Sequence, residues 1–127
     1  MGLLFSKKHI LIVDDEQDIL ENLSKVLERA GYKVTTLKDG DGVMNACMQN
    51  KPDLIILDIV MPGISGPEVA MKLAEDVNFK DIPIIFLTGL FSKEEEGKMD
   101  NSMPHRTIIS KPCDTKTILD TIKEKLG

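Results

Sequence analysis

Nothing in this sequence approaches the roughly 20 consecutive apolar residues of a membrane-spanning helix, so no span is expected and the protein reads as cytoplasmic. Positive charge is short: 16 Lys and Arg stand against 21 Asp and Glu, a formal net charge of −5. That balance argues against a nucleic-acid surface, which would show a basic stripe. Cysteine is scarce as well. Cys47 and Cys113 lie far apart and outside any metal-ligand spacing, which leaves free thiols. There is no internal repeat and no low-complexity tract. What remains is ordinary globular usage, 42% hydrophobic and 29% charged over 127 residues, enough for one domain with a two- or three-layer core.

At the N-terminus, Met1-Gly2-Leu3-Leu4-Phe5-Ser6 matches the short N-myristoylation pattern but is too brief for a secretory signal. We expect residues 1–8 to form a short arm and residues 9–127 the domain.

The pattern along the chain alternates. His9 to Val13 is an apolar strand ending in Asp14-Asp15-Glu16. From Glu16 to Ala30, Ile19, Leu20, Leu23, Val26 and Leu27 form a helical stripe closed by Gly31. Tyr32 to Leu37 is more polar and reads as an edge strand. A helix is expected from Asp39 to Asn50, with Val43, Ala46 and Cys47 inward. Leu54 to Leu57 is a continuous apolar run that delivers Asp58 and then breaks at Met61-Pro62-Gly63. A helix over residues 66–77 should pack through Val69, Ala70, Leu73, Ala74 and Val77. Ile82 to Leu87 leads to Thr88-Gly89, Thr107 to Ser110 leads to Lys111-Pro112, and a last helix spans Thr115 to Leu126 with Asp114 or Thr115 as its cap. Five alternations with short, right-handed crossovers predict a three-layer, doubly wound α/β fold of the (βα)5 flavodoxin-like kind. The parallel sheet should have order 2-1-3-4-5, with the polar second strand at the edge.

That topology gathers Asp14, Asp15, Asp58, Thr88 and Lys111 at the carboxyl ends of the strands, where open α/β sheets bind ligands. Each has an ordinary explanation alone: a cap, a turn residue, a solvated lysine. Together they pose a charge problem, because three close carboxylates raise one another's pKa and one lysine does not balance them. A hard divalent cation does, and an all-oxygen donor set suits Mg²⁺. A carboxylate, a metal, a lysine and a hydroxyl are the parts of a phosphoryl-transfer site.

The ordered set Leu11-Ile12-Val13-Asp14-Asp15-Glu16, Asp58-Ile59-Val60-Met61-Pro62-Gly63 with Gly66, Thr88-Gly89 and Lys111-Pro112 resembles the receiver domain of bacterial two-component response regulators, from His9 to Leu126. The resemblance implies that Asp58 accepts a phosphoryl group from a histidine kinase or histidine phosphotransfer protein. It implies Mg²⁺, with Mn²⁺ as a substitute, held by Asp15, Asp58 and the Val60 backbone carbonyl, with Asp14 acting mainly through water. Thr88 and Lys111 would hold phosphoryl oxygens, Gly89 would belong to the switch, and the Lys111-Pro112 bond would be cis. The implied output is a protein partner or relay through the face of the fourth and fifth strands, from a monomer or weak homodimer with no nucleic acid or membrane involved. His9 and His105 read as surface histidines rather than phosphodonors.

Three departures from the family pattern stand out. Ile108 occupies the place of the usual aromatic switch residue. After Phe91 and before Arg106 only Met99 and Met103 offer apolar packing, and Gly97 weakens a helix, so the fourth helix of the family should be short or frayed. Val60 and Leu90, two residues beyond Asp58 and Thr88, are apolar where the family tunes dephosphorylation, which predicts a long-lived phosphorylated state. An alternative is a receiver-fold interaction module that no longer uses phosphorylation as its switch. A haloacid-dehalogenase-like phosphatase would need an Asp where Val60 stands. A flavodoxin-like cofactor binder would need a phosphate loop after the first strand.

Overall fold

The computed structural model describes residues 7–89, 106–111 and 114–126. Leu90, Pro112, Cys113 and the expected helix between the fourth and fifth strands lie outside the described residues, as does most of the arm. The elements are β1 (His9–Val13), α1 (Gln17–Arg29), β2 (Lys33–Leu37), α2 (Val43–Gln49), β3 (Leu54–Asp58), α3 (Gly66–Ala74), β4 (Ile84–Thr88), β5 (Arg106–Ser110) and α4 (Thr115–Leu126). All strand pairs are parallel and the order is β2-β1-β3-β4-β5, as the alternation predicts. β2, the polar strand, lies at the edge and is only partly covered.

Strand alternation divides the core into two halves. Leu11, Val13, Ile55, Leu57, Ile84, Phe86 and Ile108 pack with Val43 and Cys47 of α2 and Val69, Ala70 and Leu73 of α3. Ile10, Ile12, Leu54, Ile56, Ile85, Leu87 and Ile109 pack with Leu20, Leu23 and Leu27 of α1 and Ile118 and Ile122 of α4. The central strands β1, β3 and β4 are buried along their whole length, which is why they read as unbroken apolar runs. Ile108 is one of these core residues, paired in register with Phe86.

Local chemistry sets the helix ends. Gly31 takes the left-handed conformation (φ 100°) that closes α1. Ser65 and Glu68 form a reciprocal capping box at α3, and the Asp114 carboxylate accepts from the Thr117 N–H at 2.7 Å to cap α4.

Four expectations are corrected. α2 begins at Val43, not at residue 39, because the Asp39 carboxylate accepts from the Asp41 N–H and forms a turn instead of a helix start. α3 ends at Ala74. The Asp76 carboxylate accepts from the Asn78 N–H at 2.8 Å, so the chain turns there; Ala74 is exposed, Val77 is 76% exposed, and Phe79 is buried instead. β4 runs from Ile84 to Thr88 because Pro83 has no N–H to give to a ladder. His9 is not a surface histidine: it is buried, with Nε2 2.8 Å from Thr35 Oγ1.

Candidate functional site

The same alternation positions the site. Asp58 follows Leu54 and Ile56 in parity, Lys111 follows Ile109, and Asp14 follows Ile10 and Ile12, so all three belong to the α1/α4 side of the sheet. Thr88 has the parity of Ile84 and Phe86 and belongs to the other side. Adjacent parallel strands then bring the ends together. Lys111 Nζ lies 2.9 Å from Asp14 Oδ2, 3.5 Å from Asp58 Oδ2 and 3.0 Å from Glu16 Oε1. The Lys111 N–H donates to the Thr88 carbonyl at 2.7 Å, which ties the lysine's backbone to the end of β4.

Asp14 is anchored twice. Its N–H donates to the Leu37 carbonyl, and its Oδ1 accepts from the Glu16 N–H at 2.9 Å. Asp14 Oδ2 is fully buried and, among the described residues, is met by the Lys111 ammonium rather than by a directional hydrogen bond. Asp15 is exposed, and carboxylate oxygens of Asp14, Asp15 and Glu16 lie within 4.8 Å of one another. Gly66 closes in from the far side of the loop. Its N–H donates to the Ile59 carbonyl at 2.9 Å, and a Cβ there would collide with the carbonyl oxygen of Asp58. That approach explains why glycine stands eight residues after the aspartate. Gly63 supplies the left-handed turn (φ 77°) that lets the chain come back.

The electrostatics are those of a crowded acid site. Burial, and then the charge of Asp14, push the Asp58 carboxyl up to about 6, while Lys111 pulls it down and Asp15 pushes it further up. Burial alone would lower the Lys111 ammonium; its contacts with Asp14 and Glu16 and the charges of Asp14 and Asp58 outweigh that and raise it. Three carboxylates, those of Asp14, Glu16 and Asp58, therefore meet one ammonium, with Asp15 beside Asp14 and Glu16, and the donors are all hard oxygens. This set fits a hydrated Mg²⁺ and offers nothing to a soft metal.

Of the residues expected to act together, Asp14, Asp58 and Lys111 are in contact and Thr88 is joined to them through the Lys111 backbone. Val60 is 55% exposed at the mouth, and Gly89 is exposed beside Thr88. Ile108 is separate from this group, in the core. Leu90 and Pro112 are outside the described residues. Glu16 is the member that sequence reasoning passed over; adjacency to the acid pair was its only signal. Cys47, by contrast, is no candidate. Burial, with the nearby charge of Asp76, pushes its thiol up to about 11, which leaves it inert.

Comparison with known proteins agrees with this geometry. The response regulator receiver domain family matches residues 10–123. Protein PilH of Pseudomonas aeruginosa is 34% identical over 123 residues, covering 93% of this chain and 97% of that protein. Among solved structures, the chemotaxis protein CheY4 of Vibrio cholerae superposes with a TM-score of 0.84 at 29% identity, over 95% of this chain and 100% of that one. The response regulator TrrA of Thermotoga maritima, solved in complex with Mg²⁺ and BeF, gives 0.78 at 33% identity, over 94% and 99% of the two chains. The chain belongs to the response regulator receiver domain family.

Proposed function

We propose that this protein is a cytoplasmic phosphoacceptor in which Asp58 takes a phosphoryl group from the phosphohistidine of a sensor histidine kinase or histidine phosphotransfer protein. The observation that carries the reading is the ammonium of Lys111, 3.5 Å from the Asp58 carboxylate and 2.9 Å from Asp14, at a strand end lined with acids. An Asp58 oxygen attacks phosphorus, the P–O bond forms, and the P–N bond breaks with its electron pair returning to the imidazole. With its pKa near 6 the carboxyl is ionised at neutral pH yet more basic than an ordinary aspartate, which suits a nucleophile. Lys111 and the Thr88 hydroxyl would hold two phosphoryl oxygens.

Asp15, Asp58 and the Val60 carbonyl, with Asp14 acting through water, would hold Mg²⁺ or Mn²⁺. Such an ion supplies the positive charge that offsets the acids and the equatorial phosphoryl oxygens. The phosphoryl group adds about −1.5 to −2 charge. Lys111 and Thr88, drawn to it, would shift the face of β4 and β5 toward a second population that a downstream protein reads. The domain would comprise residues 9–127, with 1–8 as an arm, working as a monomer or weak homodimer.

Incubation with acetyl phosphate and Mg²⁺, followed by intact-protein mass, tests the reading. One added phosphoryl group in the wild type and none in Asp58→Asn is the expected result. Equal labelling of both chains, or of neither, overturns it, and the second outcome favours the interaction-module reading that the buried Ile108 suggests.

A further inference from the structure

We propose that Glu16 is a positioning residue that restrains Lys111: its carboxylate holds the ammonium toward the mouth of the site and competes for it with a phosphoryl group on Asp58. This inference rests on the phosphoacceptor reading.

Lys111 has three acidic neighbours, and they differ in kind. Asp14 and Asp58 are buried and fixed by their strands, with side chains 1% and 7% exposed. Glu16 is 59% exposed and sits at the N-cap of α1, where its side chain makes no capping hydrogen bond. The well-directed hydrogen bond of the ammonium nonetheless goes to Glu16, at 3.0 Å, while the Asp58 contact is the longest of the three. Glu16 and Lys111 together line the outer wall of the groove between α1 and α4. The backbone of Glu16 cannot drift, because its N–H is bound to Asp14 Oδ1.

Two consequences follow from the chemistry. A half-exposed ion pair is weak, so the restraint is one that a phosphoryl group can overcome. Removing the carboxylate frees the ammonium for the incoming oxygens, and saturating Mg²⁺ keeps the neighbouring acids equally loaded in both proteins. Glu16→Gln should therefore speed acetyl phosphate labelling of Asp58 at saturating Mg²⁺ by about two- to five-fold, the size expected for an exposed pair.

Simple removal of negative charge would also favour an anionic donor, so the control is Asp18→Asn. Asp18 lies in the first turn of α1 and is exposed. It should change the rate much less than Glu16→Gln, and the Glu16→Gln gain should vanish in a Lys111→Ala background. In the metal-free protein, ¹⁵N relaxation of the Lys111 ammonium should show faster rotation in Glu16→Gln and no change in Asp18→Asn. A slower or unchanged rate in Glu16→Gln, an equal gain in Asp18→Asn, a gain that persists in Lys111→Ala, or unaltered ammonium relaxation each overturns the restraint while leaving Asp58 a phosphoacceptor. A wild type that takes no phosphoryl group overturns both.

Discussion

The two ends of the sheet use buried polar groups in opposite ways. At the amino ends, the Asp53 carboxylate accepts from the His9 N–H at 2.7 Å, the Asp53 N–H donates to the His9 carbonyl at 2.7 Å, and His9 Nε2 meets Thr35 Oγ1. β1, β2 and β3 are laced together there by short contacts, with a backbone N–H meeting the one carboxylate. At the carboxyl ends of the same strands, three carboxylates compete for one ammonium, and Asp58 resists ionisation. A fold needs only the first arrangement. Crowded acids destabilise the folded state, so their presence marks a place kept for a ligand that brings positive charge or competes for the lysine. The contrast can be broken from either end.

The largest effect should come from removing the cation. Lys111→Met leaves Asp14 and Asp58 buried without a counter-charge, and losing one partner of a buried pair costs about 3 kcal/mol. Asp58, no longer pulled down by the ammonium, would then hold its proton more tightly in the folded state. The loss should be full at neutral pH and shrink as the pH falls through 6 toward 4. Urea unfolding across that window checks it. A pH-independent loss would mean that Lys111 acts by packing alone.

Asp58→Asn probes the same crowding with the opposite sign. A carboxyl whose folded pKa is about 6 against an ordinary 3.8 binds its proton better when folded, so the folded state loses stability as the pH rises from 4 to 6. The amide escapes that penalty. In metal-free buffer at pH 7 Asp58→Asn should be more stable than the wild type by about 1–2 kcal/mol, with water at the mouth screening the rest. Below pH 4 the advantage should disappear. A variant less stable than wild type at pH 7 would show that the carboxylate is held by favourable contacts after all.

How much of this was legible beforehand depends on what fixes each feature. The sheet order was readable because Lys33 to Leu37 carries polar residues along its length, as an edge tolerates, whereas β1, β3 and β4 carry them only at one end, as His9, Asp58 and Thr88. Asp14, Asp58 and Lys111 were readable because a strand end is a fixed address. Glu16 was not, because its role depends on side-chain reach from a helix cap, which periodicity does not encode. The starts and ends of α2 and α3 were misjudged for a related reason. Asp39 and Asp76 spend their carboxylates on turn N–H groups, a local choice that outweighs the apolar stripe around it. His9 looked like a surface residue because nothing near it in sequence announces Thr35.

Val60 tests the exposed rim of the carboxyl end. It stands two residues past Asp58, more than half exposed, and its methyl groups cannot align a water for attack on an acyl phosphate. The wild-type phosphoprotein should decay slowly in Mg²⁺ buffer; loss within seconds would overturn that. Val60→Asn should shorten the lifetime about tenfold, equivalent to about 1.4 kcal/mol in the barrier. Loss of radiolabelled phosphate from the purified phosphoprotein measures both, and an unchanged lifetime would remove Val60 from any tuning role.

The smallest effect should come from the amino end, and its value lies in what stays constant. Thr35→Val keeps the β-branched shape that suits a strand and removes only the hydroxyl that meets His9 Nε2. Among the described residues His9 Nδ1 is already buried without a hydrogen-bond partner, so the substitution leaves both ring nitrogens unpaired there. The expected cost is about 1 kcal/mol, read by urea unfolding. The carboxyl end lies about 15 Å away along five-residue strands and shares none of these contacts. Asp58 labelling and phosphate lifetime should therefore match the wild type once both proteins are fully folded. If Thr35→Val altered the labelling rate, the two ends would be coupled through β1. The amino end would then belong to the switch and not merely to the scaffold.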